Sequence, residues 1–270
     1  MTTTINADTS TGGAIITGDS SGQLALQAAG VTGLTLNSSS AIGVGSSPSF
    51  GTANQVLQSN GSAAAPSWVA AGSGFSQAQV FTTSGSFTVP ASGKFKVTII
   101  GGGGSGAVSG SGITGSGSGA GGGTVIKWFT GATPSATATV TIGAGGAGVS
   151  SIGIGNAGGN STFVLSGFTT LTASGGAAGL GGGNGPSAGG SAAGGDINSR
   201  GQNGSPNVSA DDDVNKVVGF AGSTLLGFGR VDMRNINSTG VAGEFGAGSC
   251  GRFNSNSTGA GGGGICIVES

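Results

Sequence analysis

The stretch Lys94-Phe95-Lys96-Val97-Thr98-Ile99-Ile100 runs without a break into Gly101-Gly102-Gly103-Gly104-Ser105-Gly106. Phe95, Val97 and Ile99 alternate with Lys94, Lys96 and Thr98, the period of a half-buried strand. Side chains then stop and glycine takes over. The same switch recurs down the chain, which holds 64 glycines in 270 residues, against a usual share of roughly 7%. Such a bias ordinarily signals disorder, yet the 35% of apolar residues gather into short strand-like runs. Each glycine inside regular structure costs about 0.5–1 kcal/mol relative to alanine. A folded chain of this kind needs compensation from backbone hydrogen bonds between close-packed glycine segments and from burial between subunits.

The glycine tracts 105–123, 143–160 and 174–195 have no strict three-residue repeat and almost no proline, which excludes collagen. They suit left-handed extended helices of the polyproline-II type. Packed side by side, such segments satisfy backbone N–H and C=O groups without side chains. The expectation is a bundle of them capped by a small β-sheet. Gly101-x-Gly103-x-x-Gly106 follows a strand, as a dinucleotide fingerprint does. That motif needs a helix and an acidic residue about 20 positions on. Here Ala107-Val108-Ser109-Gly110-Ser111-Gly112 follows, no Asp or Glu lies between Asp19 and Asp196, and no Gly-Lys-Ser/Thr occurs. No nucleotide or other cofactor is expected.

Net charge is −1 with no basic tract, so binding nucleic acid through its phosphates is not expected. No apolar run reaches about 18 residues, so no membrane insertion is expected. Met1-Thr2-Thr3-Thr4-Ile5-Asn6 lacks the positive region and apolar core of a signal peptide. Assembly in a cytoplasm is the expectation. There is no His, the commonest general base and metal ligand. Nothing pairs Asp211, Asp212 or Asp213 with Asp232 or Glu244 as a glycosidase pairs its carboxylates. The Asp run also lacks the Gly-Gly-x-Gly-x-Asp calcium repeat. The chain is read as a non-enzyme without a metal site. Cys250 and Cys266 are read as free thiols, Cys266 as a small core residue inside Ile265-Cys266-Ile267-Val268; pairing of the two stays open.

Residues 1–70 carry apolar pulses at Ala14-Ile15-Ile16, Leu24-Ala25-Leu26 and Leu34-Thr35-Leu36, about ten residues apart. They read as short strands shared between chains. Gln55-Val56-Leu57-Gln58, the hairpin signal Asn60-Gly61 and Pro66-Ser67-Trp68 together resemble a segment of bacteriophage tail-fibre and other virion fibre proteins. Residues 71–74 read as a linker. From 75 to 270, Phe87-Thr88-Val89-Pro90, Val97 to Gly104, Thr141-Ile142-Gly143-Ala144-Gly145-Gly146, Gly159-Asn160-Ser161-Thr162-Phe163, Thr172-Ala173-Ser174-Gly175-Gly176 and Gly261 to Glu269 resemble, in order and spacing, the glycine-rich domain at the distal end of phage tail fibres. The chain departs from that pattern at Phe245-Gly246-Ala247-Gly248-Ser249-Cys250-Gly251 and at 196–235, which reads as an insertion less glycine-rich than its surroundings.

The fold expected is therefore all-β: a short-strand N-terminal fibre region, then a β-sandwich-like domain with glycine-rich, polyproline-II-type loops. The resemblance implies a virion tail-fibre protein, a homotrimer, joined to other virion proteins through residues 1–70 and attaching to a host cell-surface receptor, a polysaccharide or an outer-membrane protein, through 75–270. A head or decoration fibre without receptor role and a tailspike-like depolymerase are the alternatives, with a repetitive ice-binding protein a third. About half of the charged residues fall in 196–234 together with Phe220, Leu225, Leu226, Phe228 and Met233. Recognition uses polar anchors and apolar contacts on loops held by a rigid frame. The receptor-binding candidates are Arg200, Asp211, Asp212, Asp213, Phe228, Arg230, Asp232 and Arg234. The same stretch also suits ion pairs in a groove between subunits.

Overall fold

The computed structural model describes residues 22–28, 30–62, 64–71, 77–110, 116–181, 186–206, 220–229, 241–253 and 257–270. The chain divides into two units, Met1–Ser73 and Gly74–Ser270. All regular structure among the described residues is β.

In the first unit, β1 (Leu24–Ala28), β2 (Val31–Leu36) and β3 (Ile42–Val44) form an antiparallel sheet, and β4 (Gln55–Gln58) pairs with β5 (Ser67–Ala70). The pulses at Leu24 and Leu34 are thus strands; the one at Ala14 lies outside the described residues. The Asn60-Gly61 signal does not make a two-residue turn. Only Gly61 takes positive φ (83°), and Asn60 Nδ2 donates across a wider loop to Ala65 O at 2.7 Å. Val44 is the one buried apolar side chain among this unit's described residues.

The second unit begins with a β-sandwich. Its first sheet joins β6 (Ala78–Phe81), β8 (Phe95–Ile100), β10 (Thr124–Phe129), β15 (Ile197–Ser199) and β17 (Ile265–Glu269) in the order β15-β10-β8-β17-β6. Its second joins β7 (Gly85–Thr88), β11 (Thr137–Thr141), β12 (Ser161–Val164), β13 (Leu171–Ala173) and β14 (Ala192–Ala193) in the order β14-β13-β12-β11-β7. Every pairing within these two sheets is antiparallel. Two short strands, β9 (Val108–Ser109) and β16 (Arg252–Phe253), pair in parallel elsewhere. Alternation puts Phe95, Val97, Ile99, Val125, Phe129, Cys266 and Val268 of the first sheet against Phe87, Val140, Phe163 and Leu171 of the second. Phe95 stacks on Phe129 with centroids 4.6 Å apart. Burying each large side chain contributes about 1.5–3 kcal/mol.

The glycine tracts continue the strands as extended rods. Ten are present among the described residues: rod 1 (101–107), rod 2 (116–123), rod 3 (143–149), rod 4 (153–160), rod 5 (174–181), rod 6 (187–191), rod 7 (201–205), rod 8 (220–224), rod 9 (246–250) and rod 10 (257–264). Their hydrogen bonds have a period of three. Gly101, Gly104 and Ala107 donate to Gly123, Ala120 and Gly117 of rod 2 at 3.0, 2.9 and 3.0 Å. Gly102 and Ser105 donate to Gly159 and Asn156 of rod 4 at 2.9 and 2.8 Å, and Val108 extends the series to Gly153. Gly103 donates to Gly262 of rod 10 at 2.8 Å. Rod 1 also accepts from rods 3, 5 and 9, so six rods surround it. Rod 2 donates in turn to rods 5, 7 and 9 and accepts from rods 1, 6 and 8, again six. Successive peptides turn to three different neighbours, which is the geometry of a helix with three residues per turn. The expected bundle is present, and it is hexagonal.

The remaining eight rods close a ring in the order 5-4-3-10-9-8-7-6, each bonded to the next. The layers follow the sheets. Rods 7-2-1-10 continue β15-β10-β8-β17, and rods 6-5-4-3 continue β14-β13-β12-β11. Rods 8 and 9 add a third layer beyond rods 7-2-1-10. Glycine is demanded by proximity: a Cβ on Gly102, Gly103 or Gly104 would fall inside a backbone carbonyl group of a neighbouring rod. On the outer rods some peptides face away from the array, and side chains complete them. Asn160 Oδ1 accepts from Gly175 N–H at 3.0 Å, Asn203 Oδ1 from Gly189 N–H at 2.9 Å, and Gln202 Oε1 from Ser223 N–H at 3.2 Å.

Candidate functional site

The second unit has two unlike ends. Rods 1, 3, 5 and 7 follow strands and run away from the sandwich; rods 2, 4, 6 and 10 run back into strands. The rod ends joined by the connections between rods 1 and 2, 3 and 4, 5 and 6, 7 and 8, and 9 and 10 therefore all lie at the end away from the sandwich. A sixth connection, between Gly229 and Val241, starts and finishes on that side: Gly229 lies against Ala221 of rod 8, and Val241 against Gly259 of rod 10. At the opposite end Gln77 and Ser270 exchange backbone hydrogen bonds of 3.0 and 2.9 Å, beyond the pairing of Ala78 with Glu269. Gln77 is the first described residue of the second unit.

At the connecting end Ile152, Ile154 and Phe220 are exposed, and Ile152 packs over Gly110. Arg252 is buried. Its N–H donates to Ala107 O at 2.8 Å, and Ser116 Oγ donates to its carbonyl oxygen. Sequence reasoning missed Ile152 and Ile154. The available signal was two isoleucines set in Ser150-Ser151-Ile152-Gly153-Ile154, within a tract otherwise made of small residues.

Of the residues singled out from the sequence, Asp211, Asp212, Asp213, Arg230, Asp232 and Arg234 lie outside the described residues. The described residues that bracket them, Pro206 and Phe220, then Gly229 and Val241, stand on the side of the connecting end. Arg200 lies near the sandwich instead. It follows β15, and its Nε donates to Gly189 O at 3.1 Å, beside a shallow trough of about 660 Å³ floored by Ser174–Ala177 and Ala188–Ser191. Phe228 is 84% exposed and stands beyond rod 8, on the other side of rod 7 from the Arg200 contact. The two do not form one site. The stretch 196–234 is not an inserted loop either: its ends supply β15 and rods 7 and 8.

The fingerprint-like glycines offer no anion cradle. The N–H groups of Gly101 and Gly103 donate to Gly123 O and Gly262 O, and that of Gly106 to Ser249 Oγ at 3.1 Å. Asp196 accepts from Trp128 N–H at 2.9 Å and sits 3.5 Å from Lys127 Nζ. The backbone N–H first, and Lys127 with it, hold its carboxyl below the usual range. Cys250 and Cys266 are both buried thiols that form no disulfide, as expected. Burial pushes the Cys266 thiol up to about 12.

A search of the curated proteins finds no match to the chain. Residues 81–270 match the family model described as a glycine-rich domain, a span that covers every rod and all of the sandwich except residues 78–80 of β6. The chain is a member of this glycine-rich domain family.

Proposed function

We propose that the chain is a bacteriophage tail-fibre protein that attaches the particle to the host cell surface as a homotrimer, without catalysis. The observation that carries this reading is the polarity of the second unit. In a backbone-bonded array six pairs of described chain ends face one end, while Gln77 and Ser270 lie at the other. Recognition on loops needs a frame that does not yield, and an array in which the inner rods have six bonded neighbours is such a frame. Residues 1–73 join other virion proteins, and copies come together there because the described strands of that unit bury almost no apolar surface alone. Several weak contacts then act together through effective concentration. Asp211, Asp212, Asp213, Arg230, Asp232 and Arg234 fall in the segments 207–219 and 230–240 and are the first receptor candidates.

The test has two parts. Antibody labelling of imaged particles locates residues 75–270; the reading requires the outer tip of a tail fibre. Purified full-length chain, added in excess, should block adsorption of the particle to its host. Label on the capsid without competition would replace this reading with a head fibre that has no receptor role.

A further inference from the structure

The two outer faces of the sandwich differ in chemistry. On the second sheet the outward rows are Ser86–Thr139–Val164, Thr88–Thr137 and Thr141–Thr162–Thr172–Ala193. This is a hydroxyl surface that water covers. On the first sheet one cross-strand row runs Ile197–Ile126–Thr98–Ile267–Val80 through all five strands. Val80 is 55% and Ile197 49% exposed, and Trp128 in the next row is 45% exposed. Side chains directly opposite one another on adjacent strands stand about 4.5–5.5 Å apart, so the row is an apolar band with one hydroxyl, that of the buried Thr98, at its centre.

The layers explain why this face is bare. Over rods 7-2-1-10 lies the third layer, rods 8 and 9. That layer stops where the sheet begins. Its turns end over the last outward residue of β8: a Cβ on Gly246 would reach Ile100 Cγ2 at 2.7 Å, and Thr224 Oγ1 donates to Phe245 O at 2.7 Å. Leu225, Leu226 and Phe245, all exposed, edge this step. The apolar band forms its floor. Monomeric proteins rarely leave so contiguous an apolar surface open.

We propose that the step is a docking surface for a second copy of this chain, resting on the homotrimer reading above and assigning its contact face. Charge selects the occupant. The face carries one charged pair, Lys96 Nζ to Glu269 Oε2 at 2.6 Å, closed within the sheet. A neutral face neither attracts a charged partner nor repels its own copy. Three copies set around a threefold axis can each turn this one face toward the axis, where the three apolar rows meet. The described strands of the first unit bury only one apolar side chain, Val44, which favours association of copies along the chain.

The test uses the full-length chain, whose two native thiols are buried. Val80→Cys and Ile197→Cys are labelled with a maleimide–polyethylene glycol and compared with Thr139→Cys on the hydroxyl face. Mass is measured alongside by light scattering. The account expects a trimer in which positions 80 and 197 label more slowly than 139, and equalise on dilution to monomer. Val80→Glu with Ile197→Glu should weaken association about 30-fold or more while the sandwich stays folded. A trimer with equal labelling at all three positions overturns the assigned face and leaves the homotrimer standing. A monomer at every concentration removes the homotrimer and this face with it. Protection that persists in the diluted monomer overturns the second-copy assignment, because the chain then covers itself.

Discussion

Gly103 N–H donates to Gly262 O at 2.8 Å, and a Cβ on the neighbouring Gly261 would fall inside the Gly103 carbonyl group. Rod 10 thus approaches rod 1 at a distance only glycine permits. Two residues further on, Gly263 is exposed, and a Cβ there would meet nothing within 4 Å.

The pair gives a sharp comparison. Gly261→Ala forces two rods apart and should cost about 3 kcal/mol or more, read as a fall of roughly 6–12 °C in Tm. Gly263→Ala keeps its backbone conformation and should leave stability unchanged or raise it by up to about 1 kcal/mol. Equal effects at the two positions would mean that the rods are not packed as described.

Side-chain caps on the outer rods make a second comparison. Asn160 Oδ1 accepts from Gly175 N–H at 3.0 Å. Asn160→Ala leaves that donor to water and should lower unfolding free energy by about 0.5–1.5 kcal/mol. Hydrogen exchange at the Gly175 amide should accelerate, whereas exchange at Gly176, bonded to Gly102 O, should not.

Cys266 supplies a pH prediction. Its thiol is held protonated by burial, with the folded value raised to about 12. An unfolded cysteine ionises near 8.5. A raised folded value stabilises the fold below the unfolded value, so stability should fall as pH rises from about 8.5 toward 12. Cys266→Ala should flatten that alkaline loss. In the native chain at pH 8 neither thiol should react with a disulfide reagent, and both should react in denaturant.

Much of the sandwich was legible from residue order. The alternation in 94–100 located β8, because a strand with one buried face writes a period of two. Strands of two or three residues, β14 and β15, write no such period. The rods were legible as glycine but not as neighbours. Their pairing is carried by backbone groups, which every sequence has, so no pattern of side chains says that rod 1 lies against rod 10. The glycine-poor stretch 196–234 looked like an insertion for a physical reason. Rods 7 and 8 lie in the outer ring, where outward positions accept Gln202, Asn203 and Ser223, while rods 1 and 2 are enclosed and must read Gly101 to Gly104 and Gly121 to Gly123. Which sheet face is bare was also hidden. Thr137, Thr139 and Thr141 share one face of a single strand, whereas the Ile197-to-Val80 band joins five strands scattered along the chain.

The proposed attachment function is tested most directly by changing a connection without touching the frame. Deleting 196–234 would remove β15 and two rods, and so would test folding alone. Replacing 207–219 with a Gly/Ser linker of equal length keeps rods 7 and 8. The measurement is the adsorption rate of particles carrying that replacement. The account predicts assembled particles, an unchanged melting curve for the isolated chain, and adsorption reduced about tenfold or more. Repeating the replacement at 230–240 and at 150–152 ranks the connections. Unchanged adsorption with all three replaced would contradict the claim that this end of the array reads the host surface.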